Sequence, residues 1–326
     1  MNWRNLPLNW RNMLIASALV LVVLCLFAWW SGSRAAWAAY LAVWWFCIGC
    51  VLGGLVNVWI HNLTGGAWGE EVREPLIALA RVLPVLAIFF VPVLLAHATL
   101  YPWAVGTADG DHRWAGEVAH PEFRRAFLSP TFFVLRSIAY LAIWTVLAFF
   151  TRRHASSRSR PFSAAALMIY SITVTFAGVD WIMSLVPEWQ STVFGMLIMI
   201  GQGLAGLSFG IVALALAGVR RPGVFRDLGN LLLTYVLMWA YLAFTQYLII
   251  WAENLPDEIS WYVPRVQTGW LWVGSALILA HFFVPLLVLL SRNAKNAPAV
   301  LGTLAGALLA AHVVDVFWLT VPSVHA

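Results

Sequence analysis

The chain has 326 residues, of which 62% are hydrophobic and only 10% are charged. A soluble domain carries roughly a quarter charged residues, so this composition excludes a soluble globular protein and indicates an integral membrane protein. The formal net charge of +5 does not indicate nucleic-acid binding, because the basic residues of a membrane protein first of all set its orientation in the bilayer.

Nine apolar segments are long enough to cross a bilayer, since a membrane-spanning helix needs about 20 mainly apolar residues. The pattern predicts an all-α polytopic membrane protein that forms a single domain. The segments cover roughly residues 13–30, 38–60, 77–100, 131–150, 163–183, 191–217, 228–251, 267–290 and 298–321. The first of them is followed by Ser33-Arg34-Ala35, which resembles a signal-peptide cleavage site. Its apolar run is too long for a typical signal peptide, so we expect a membrane anchor.

Lysine and arginine residues predict the orientation of these segments. With a cytoplasmic N-terminus, thirteen of the 19 basic residues lie on the inner side and six on the outer side. This bias follows the positive-inside rule. The sequence therefore predicts a cytoplasmic N-terminus and an outer C-terminus. Residues 101–130 then form a long outer loop, either a solvated loop or a docking surface, and Glu70 to Glu74 a solvated inner loop.

The cysteine residues do not indicate a metal or redox site. Cys25, Cys47 and Cys50 all fall inside apolar segments. Cys47 and Cys50 have CxxC spacing, but no second pair completes a zinc or iron–sulfur site. We therefore interpret all three as small buried residues and predict no metal site.

One group of ionisable residues is expected near the outer side of the membrane. Asp180, Arg136 and His97 come from consecutive segments and reach a similar depth. A pair between Arg136 and Asp180 would reduce the unfavourable burial of each charge alone. The alternative is a functional one, in which these residues form a pocket for a quinone headgroup or the mouth of a proton pathway. Gln246, Glu253 and Asp257 are further candidates for such a pocket or mouth.

A second group lies deeper in the membrane. His312 and Asp315 are three residues apart and share one helix face, and His281 lies near the middle of the preceding segment. Histidine changes its charge near physiological pH, and a carboxylate beside it tunes that change. The set is therefore a candidate proton relay, and the alternative is a hydrogen-bonded contact that locks two helices together.

Glycine and tryptophan residues predict where helices pack closely and where they meet the membrane interface. Gly49-xxx-Gly53, Gly206-xxx-Gly210 and Gly302-xxx-Gly306 allow close approach of helices. Seven tryptophans near the segment ends are predicted to anchor the helices at the membrane interface. They are Trp29, Trp30, Trp103, Trp181, Trp189, Trp251 and Trp261.

Several stretches together resemble a known family, the F-type membrane component of the bacterial alternative complex III. This component belongs to the NrfD-like, polysulfide-reductase-like membrane proteins. The resemblance runs from about residue 40 to the end of the chain, and it depends on the combination of stretches. They are HNLTGGAWGEEVREPLIALARVLP (61–84), LYPWA (100–104), FAGVDWIMSLVPEWQSTVFG (176–195), DLGNLLLTYVLMWAYLAFTQYLIIWAENLPDEISWYVPR (227–265), HFFVPLLVLLSRNAK (281–295) and HVVDVFWLTVP (312–322).

The resemblance implies two four-helix bundles plus an extra helix, in the inner (plasma) membrane of a bacterium. It implies a quinol:cytochrome c oxidoreductase in which haem and iron–sulfur clusters lie on periplasmic partner subunits, beside a sister NrfD-like membrane subunit. A terminal oxidase is a further partner that the resemblance allows. The matching positions for proton conduction are Asp180, His281, His312 and Asp315, with Glu253 and Asp257 at the outer turn. Relatives commonly have ten spans, whereas this chain has nine, which puts the contacts with neighbouring subunits in doubt.

The sequence thus predicts an auxiliary membrane subunit of a quinol-oxidising respiratory complex, with no redox cofactor of its own. Its role would be to line a proton pathway, and whether it also contacts quinone is left open. Two alternatives remain at this point, a stand-alone secondary transporter and a purely structural anchor for redox subunits.

Overall fold

The structure is a computed structural model that describes residues 10–105, 126–154 and 157–324. All regular secondary structure in these ranges is helical. Eight helices are long and apolar enough to cross a membrane, and a shorter apolar stretch, Ile15–Ser31, precedes them. This confirms the predicted all-α polytopic membrane fold. Most of the predicted long outer loop, residues 106–125, lies outside the described residues.

The helices are numbered in chain order. They are α1 (Trp10–Ser31), α2 (Arg34–Thr64), α3 (Ala67–Leu79), α4 (Leu83–Ile88), α5 (Val91–Leu95), α6 (His97–Leu100), α7 (Pro102–Val105), α8 (Pro130–Arg153), α9 (Arg160–Trp181), α10 (Phe194–Leu216), α11 (Pro222–Glu253), α12 (Pro256–Ile259), α13 (Val263–Val266), α14 (Trp270–Leu277), α15 (Val284–Leu290), α16 (Arg292–Asn296) and α17 (Pro298–Thr320). A π-helical turn, Ile278–Phe283, joins α14 to α15.

The third span begins earlier than the sequence predicted, at Ala67. Glu70 and Glu71 therefore lie in the first turns of α3, and the prediction of a solvated inner loop there is wrong. Acidic side chains are favourable at a helix N-terminus because they face its positive dipole end. Each carboxylate also forms an ion pair with a neighbouring connection, Glu70 with Arg158 and Glu71 with Arg221.

The helices form two groups of four that meet along α2 and α10. The first group contains α2, the broken span α3–α5, α8 and α9, and the second contains α10, α11, the span α14–α15 and α17. The most extensive contact in the protein joins α2 to α10, and α1 packs outside on α2. The arrangement agrees with two four-helix bundles plus an extra helix.

Glycines make the contact between α2 and α10 possible. A Cβ atom added to Gly53 would lie 1.7 Å from the carbonyl oxygen of Gln202, and one added to Gly206 would lie 2.2 Å from the carbonyl carbon of Gly53. The Asn57 amide donates hydrogen bonds to the carbonyl oxygens of Gly53 (2.8 Å) and Gly203 (2.9 Å). The backbones of the two helices thus touch at mid-membrane, as small-residue motifs allow.

Four of the seven predicted interfacial tryptophans are buried instead. Trp103, Trp181, Trp189 and Trp261 have at most 2% of their surface exposed. The Trp181 ring packs edge-on against the rings of Trp44, Trp45 and Trp144. The prediction that tryptophans near segment ends anchor at the membrane interface fails for these four, because their large indole rings pack inside the protein. Trp29, Trp30 and Trp251 are exposed, in accordance with the prediction.

Candidate functional site

His281, His312 and Asp315 come together in the interior of the second helix group. All three residues are at most 5% exposed. The two imidazole rings stack with their centroids 5.9 Å apart, and His312 Nδ1 lies 3.3 Å from Asp315 Oδ2. The Trp239 indole N–H of α11 donates to the same carboxylate oxygen at 3.3 Å. The structure therefore assembles the predicted His/His/Asp group and adds Trp239 to it.

The local backbone explains how His281 comes to face this cluster. His281 lies in the π-helical turn, and Pro285 follows four residues later. Proline has no backbone N–H, so it cannot donate to the carbonyl of His281 as an α-helix would require. The widened turn accommodates this missing bond, and such π-turns are frequent at functional sites.

The histidines of the cluster carry unpaired polar atoms. Within the described residues, both ring nitrogens of His281 are buried and form no hydrogen bond, whereas His312 Nδ1 contacts Asp315 Oδ2 at 3.3 Å without forming a hydrogen bond. A buried polar group without a partner costs roughly 1–3 kcal/mol. A contact that served only to lock helices together would gain from satisfying these atoms. The open positions are those that a transferred proton or a water chain would use.

Further polar side chains continue from the cluster towards the C-terminal ends of α2 and α10. His312 packs against Gly201, where an added Cβ would lie 2.7 Å from its Cε1. The next residue, Gln202, accepts a 2.8 Å hydrogen bond from the Tyr170 hydroxyl. One helical turn along α2 from Gly53, which contacts Gln202, the Tyr235 hydroxyl donates to Asn57 Oδ1 at 3.2 Å. Sequence reasoning missed Asn57, although it lies four residues before His61 on one face of α2.

Asp180 forms a separate group, in which both oxygens of its carboxylate accept hydrogen bonds. Arg136 donates to both of its oxygens, through Nε to Oδ2 (2.9 Å) and through Nη2 to Oδ1 (2.7 Å). The Tyr140 hydroxyl donates to Oδ2 at 2.9 Å. The predicted Arg136–Asp180 pair is therefore confirmed. Asp180 is 0% exposed, and its satisfied carboxylate favours the structural interpretation over the proton-pathway one.

Asp180→Asn is expected to destabilise the fold by about 3–5 kcal/mol, because it leaves the Arg136 guanidinium buried without its counter-charge. Unfolding of the purified protein in detergent, followed by circular dichroism, measures this. Asp227→Asn is the matched control, since the Asp227 side chain is 44% exposed. A loss for Asp180→Asn no larger than for Asp227→Asn would contradict the structural role.

The other candidates for an outer pocket do not gather around Asp180. His97 is half-buried, and its Nδ1 lies 2.7 Å from the carbonyl oxygen of Leu94. Gln246 is buried, and it accepts a 3.1 Å hydrogen bond from Ser191. Glu253 and Asp257 are exposed at the outer turn. Burial and the neighbouring Glu253 raise the pKa of Glu258 beside them.

Arg265 is a buried cation that sequence reasoning counted only as an outer-loop charge. It is 2% exposed and donates to the carbonyl oxygens of Trp318 (3.0 Å) and Leu319 (2.8 Å) at the end of α17. It also donates to Ser323 Oγ at 2.8 Å, and its guanidinium lies 3.5 Å from the ring centroid of Trp261. Arg265 thus caps the C-terminus of α17, where cations are favourable.

Arg265→Gln is expected to lower the unfolding free energy by roughly 3 kcal/mol, because hydrogen bonds to a charged group contribute about 1.5–3 kcal/mol each. Arg292→Gln makes the same change at an exposed position and should have little effect. Thermal unfolding of both variants in detergent compares them. Equal melting temperatures would show that Arg265 does not hold α17.

A cavity of about 680 Å³ lies between α11, α13, α14 and α17, and Asp315 and Trp239 border it. Its remaining walls are almost entirely apolar and aromatic. Several wall residues on the membrane-spanning helices are exposed, including Tyr241, Phe244 and Ile278. The cavity therefore opens sideways towards the lipid and reaches the edge of the His/Asp cluster.

The described residues hold no group of three His, Cys, Asp or Glu side chains arranged to bind a metal ion. Cys25, Cys47 and Cys50 are free thiols. No protein-family model matches the chain, and a search of curated protein sequences found no match.

Proposed function

We propose that this chain is an integral membrane subunit of a quinol-oxidising respiratory complex of the alternative complex III type, in which His281, His312 and Asp315 carry protons. The chain would act beside a sister NrfD-like membrane subunit and beneath partner subunits that hold haem and iron–sulfur clusters. Its N-terminus would lie in the bacterial cytoplasm and its C-terminus in the periplasm.

The observation that carries the proposal is the pair of buried His281 ring nitrogens without a hydrogen bond, next to the contact between His312 and the buried Asp315 carboxylate. Ionisable residues inside a membrane are unfavourable and mark ion or proton pathways. His281, His312 and Asp315 are within reach of one another, and each can gain or lose a proton. Trp239 of α11 contacts both the His281 ring and the Asp315 carboxylate and so holds the π-helical turn and α17 together at this cluster.

The polar pairs Gln202–Tyr170 and Asn57–Tyr235 support an inner half of such a pathway. They lie along the contact of α2 and α10, between the His/Asp cluster and the cytoplasmic ends of the helices. Each pair offers a hydroxyl group that can both donate and accept a hydrogen bond. With bridging waters, such groups can pass a proton along the helix contact.

Purification of the tagged chain in mild detergent tests the assignment to a respiratory complex. We expect multihaem and iron–sulfur subunits to co-purify, together with quinol oxidation by the eluate. The haem spectrum and subunit bands are read from the same sample. A chain that elutes alone, colourless and inactive would contradict the assignment, and proton-coupled transport by that chain in liposomes would point to a secondary transporter.

A further inference from the structure

Lys295 is the one lysine of the chain, and every other basic residue apart from the histidines is an arginine. It lies in α16, the short helix between α15 and α17, and it is only 8% exposed. Its Nζ donates a 2.7 Å hydrogen bond to Asn230 Oδ1 of α11. Within the described residues, no carboxylate forms an ion pair with it. A buried charge without a counter-charge is unfavourable, so an anion bound beside this ammonium would stabilise it.

The surface of α11 is shaped to admit the lysine side chain. A Cβ atom added to Gly229 would lie 2.7 Å from Lys295 Cγ and 3.0 Å from its Cδ, so only glycine lets the lysine lie against the helix here. The ammonium has three donors and uses one of them for Asn230. The Asn230 Nδ2 forms no hydrogen bond with a described residue. Two adjacent side chains therefore keep free donors at the same place.

Two arginines extend the positive charge around these donors. Arg226 is one helical turn before Asn230 on the same face of α11, and Arg292 is one turn before Lys295 in α16. Both arginines are exposed. The first three turns of α11 and the whole of α16 contain one acidic residue, Asp227, whose Oδ1 lies 3.9 Å from Arg226 Nε. Three cations and one carboxylate leave a local charge of +2 (3 − 1), so the cluster attracts anions.

The cluster lies where membrane-spanning helices end. The helices α11 and α17 begin beside it, and α15 ends there. Asn230 is exposed, and the apolar side chains of Leu237 and Met238, two turns further along the same face of α11, are exposed as well. A polar, basic site thus adjoins a face that lipid chains can cover. Basic pockets between the ends of membrane helices bind anionic lipid head groups.

We propose that this cluster binds a phosphate group, to whose oxygens Lys295 Nζ and Asn230 Nδ2 donate hydrogen bonds and whose charge Arg226 and Arg292 help to neutralise. Two sources share this chemistry, the phosphodiester of an anionic phospholipid such as phosphatidylglycerol and a soluble phosphate compound. The competing interpretation is that Lys295 only ties α16 to α11, for which a neutral donor would serve equally well. None of these residues belongs to the His/Asp cluster, so the inference stands apart from the proposed function.

Lipid titration of the purified full chain in detergent, followed by native mass spectrometry, tests the role of the lysine charge. Lys295→Gln keeps a donor for Asn230 and removes the charge, whereas Arg153→Gln removes an exposed cation at the end of α8. We expect Lys295→Gln to raise the Kd for dioleoylphosphatidylglycerol about fivefold, the effect of one basic residue near a membrane surface. Arg153→Gln should leave that Kd unchanged. An equal Kd for Lys295→Gln and the wild type would overturn the proposal.

Protection of the single lysine tests the site in the wild type, without any substitution. Formaldehyde and dimethylamine–borane methylate the amine, and peptide mass spectrometry follows the reaction at Lys295. Dioleoylphosphatidylglycerol at about four times its Kd should slow methylation about fivefold, whereas dioleoylphosphatidylcholine, whose head group has no net charge, should slow it little. Protection by the anionic lipid alone identifies a lipid head group as the ligand, and equal protection by glycerol 3-phosphate identifies a soluble phosphate. Absence of protection by either, or equal protection by the two lipids, would overturn the proposal.

Discussion

Asp315→Asn is expected to lower the rate of proton movement by the assembled complex at least about tenfold. This is less than the roughly 100-fold or larger contribution typical of one acid–base group. Asparagine has nearly the same shape, and its carbonyl oxygen can still accept the Trp239 N–H. It cannot gain or lose a proton, so a chain of transfers through His312 and His281 would stop there. Acidification or alkalinisation of proteoliposomes during quinol oxidation measures this.

The controls for this prediction distinguish a loss of proton transfer from a loss of folding or assembly. Asp227→Asn makes the same change at an exposed position and should leave proton movement at the wild-type level. The yield of assembled complex, judged by its haem content, should be the same for both variants. A fully active Asp315→Asn complex would show that the central cluster only holds helices together.

Gly53→Ala is expected to have a large effect on stability. Its Cβ would lie 1.7 Å from the Gln202 carbonyl oxygen and 2.4 Å from the carbonyl carbon, and neither backbone atom can turn away as a side chain would. The α2–α10 contact must then separate, which we expect to cost about 3 kcal/mol or more, at or beyond the upper range for overpacking. Expression yield and thermal unfolding in detergent measure the loss.

The matched control for Gly53 is Gly223. It lies in the first turn of α11, and an added Cβ there meets no atom within 4 Å. Gly223→Ala should therefore be neutral or stabilising by up to about 1 kcal/mol, the difference in helix propensity. Equal stability of the Gly53 and Gly223 variants would contradict the direct backbone contact between α2 and α10.

The helices themselves were predictable because long apolar segments have few structural options in a bilayer. Every backbone group must be paired within the membrane, so about 20 apolar residues imply a helix. The Gly49 and Gly206 motifs also indicated close packing, and two glycines of these motifs, Gly53 and Gly206, meet in the structure. What the segments could not show was which helices meet, because that depends on complementary surfaces distant in sequence.

The sequence shows which polar residues lie in the membrane-spanning segments, but only partly which of them contact one another. His312 and Asp315 share a helix face, so their contact followed from spacing alone. The direction of His281 depends on the π-helical turn, which hydropathy does not reveal, and the addition of Trp239 depends on its contact with Asp315 across α11 and α17. The burial of Arg265 was missed for another reason. Its segment, α13, packs over the end of α17, and a contact between residues so distant in sequence leaves no local sequence pattern.

Asp180 illustrates how a structure separates two interpretations that the sequence leaves open. From position alone it could close a pathway or pair with Arg136. The structure gives it three hydrogen bonds from Arg136 and Tyr140, so its carboxylate has little capacity to accept a passing proton. Both ring nitrogens of His281 lack a hydrogen bond, and this makes the second cluster the better candidate for proton transfer.

Infrared difference spectroscopy of the complex tests the central claim most directly. The spectrum is recorded between the quinol-reduced and oxidised states in the wild type, in Asp315→Asn and in Asp227→Asn. We predict a band of a protonated carboxyl group that changes on turnover in the wild type and in Asp227→Asn and is lost in Asp315→Asn. An unchanged carboxyl band in Asp315→Asn would contradict a proton-carrying role for this cluster.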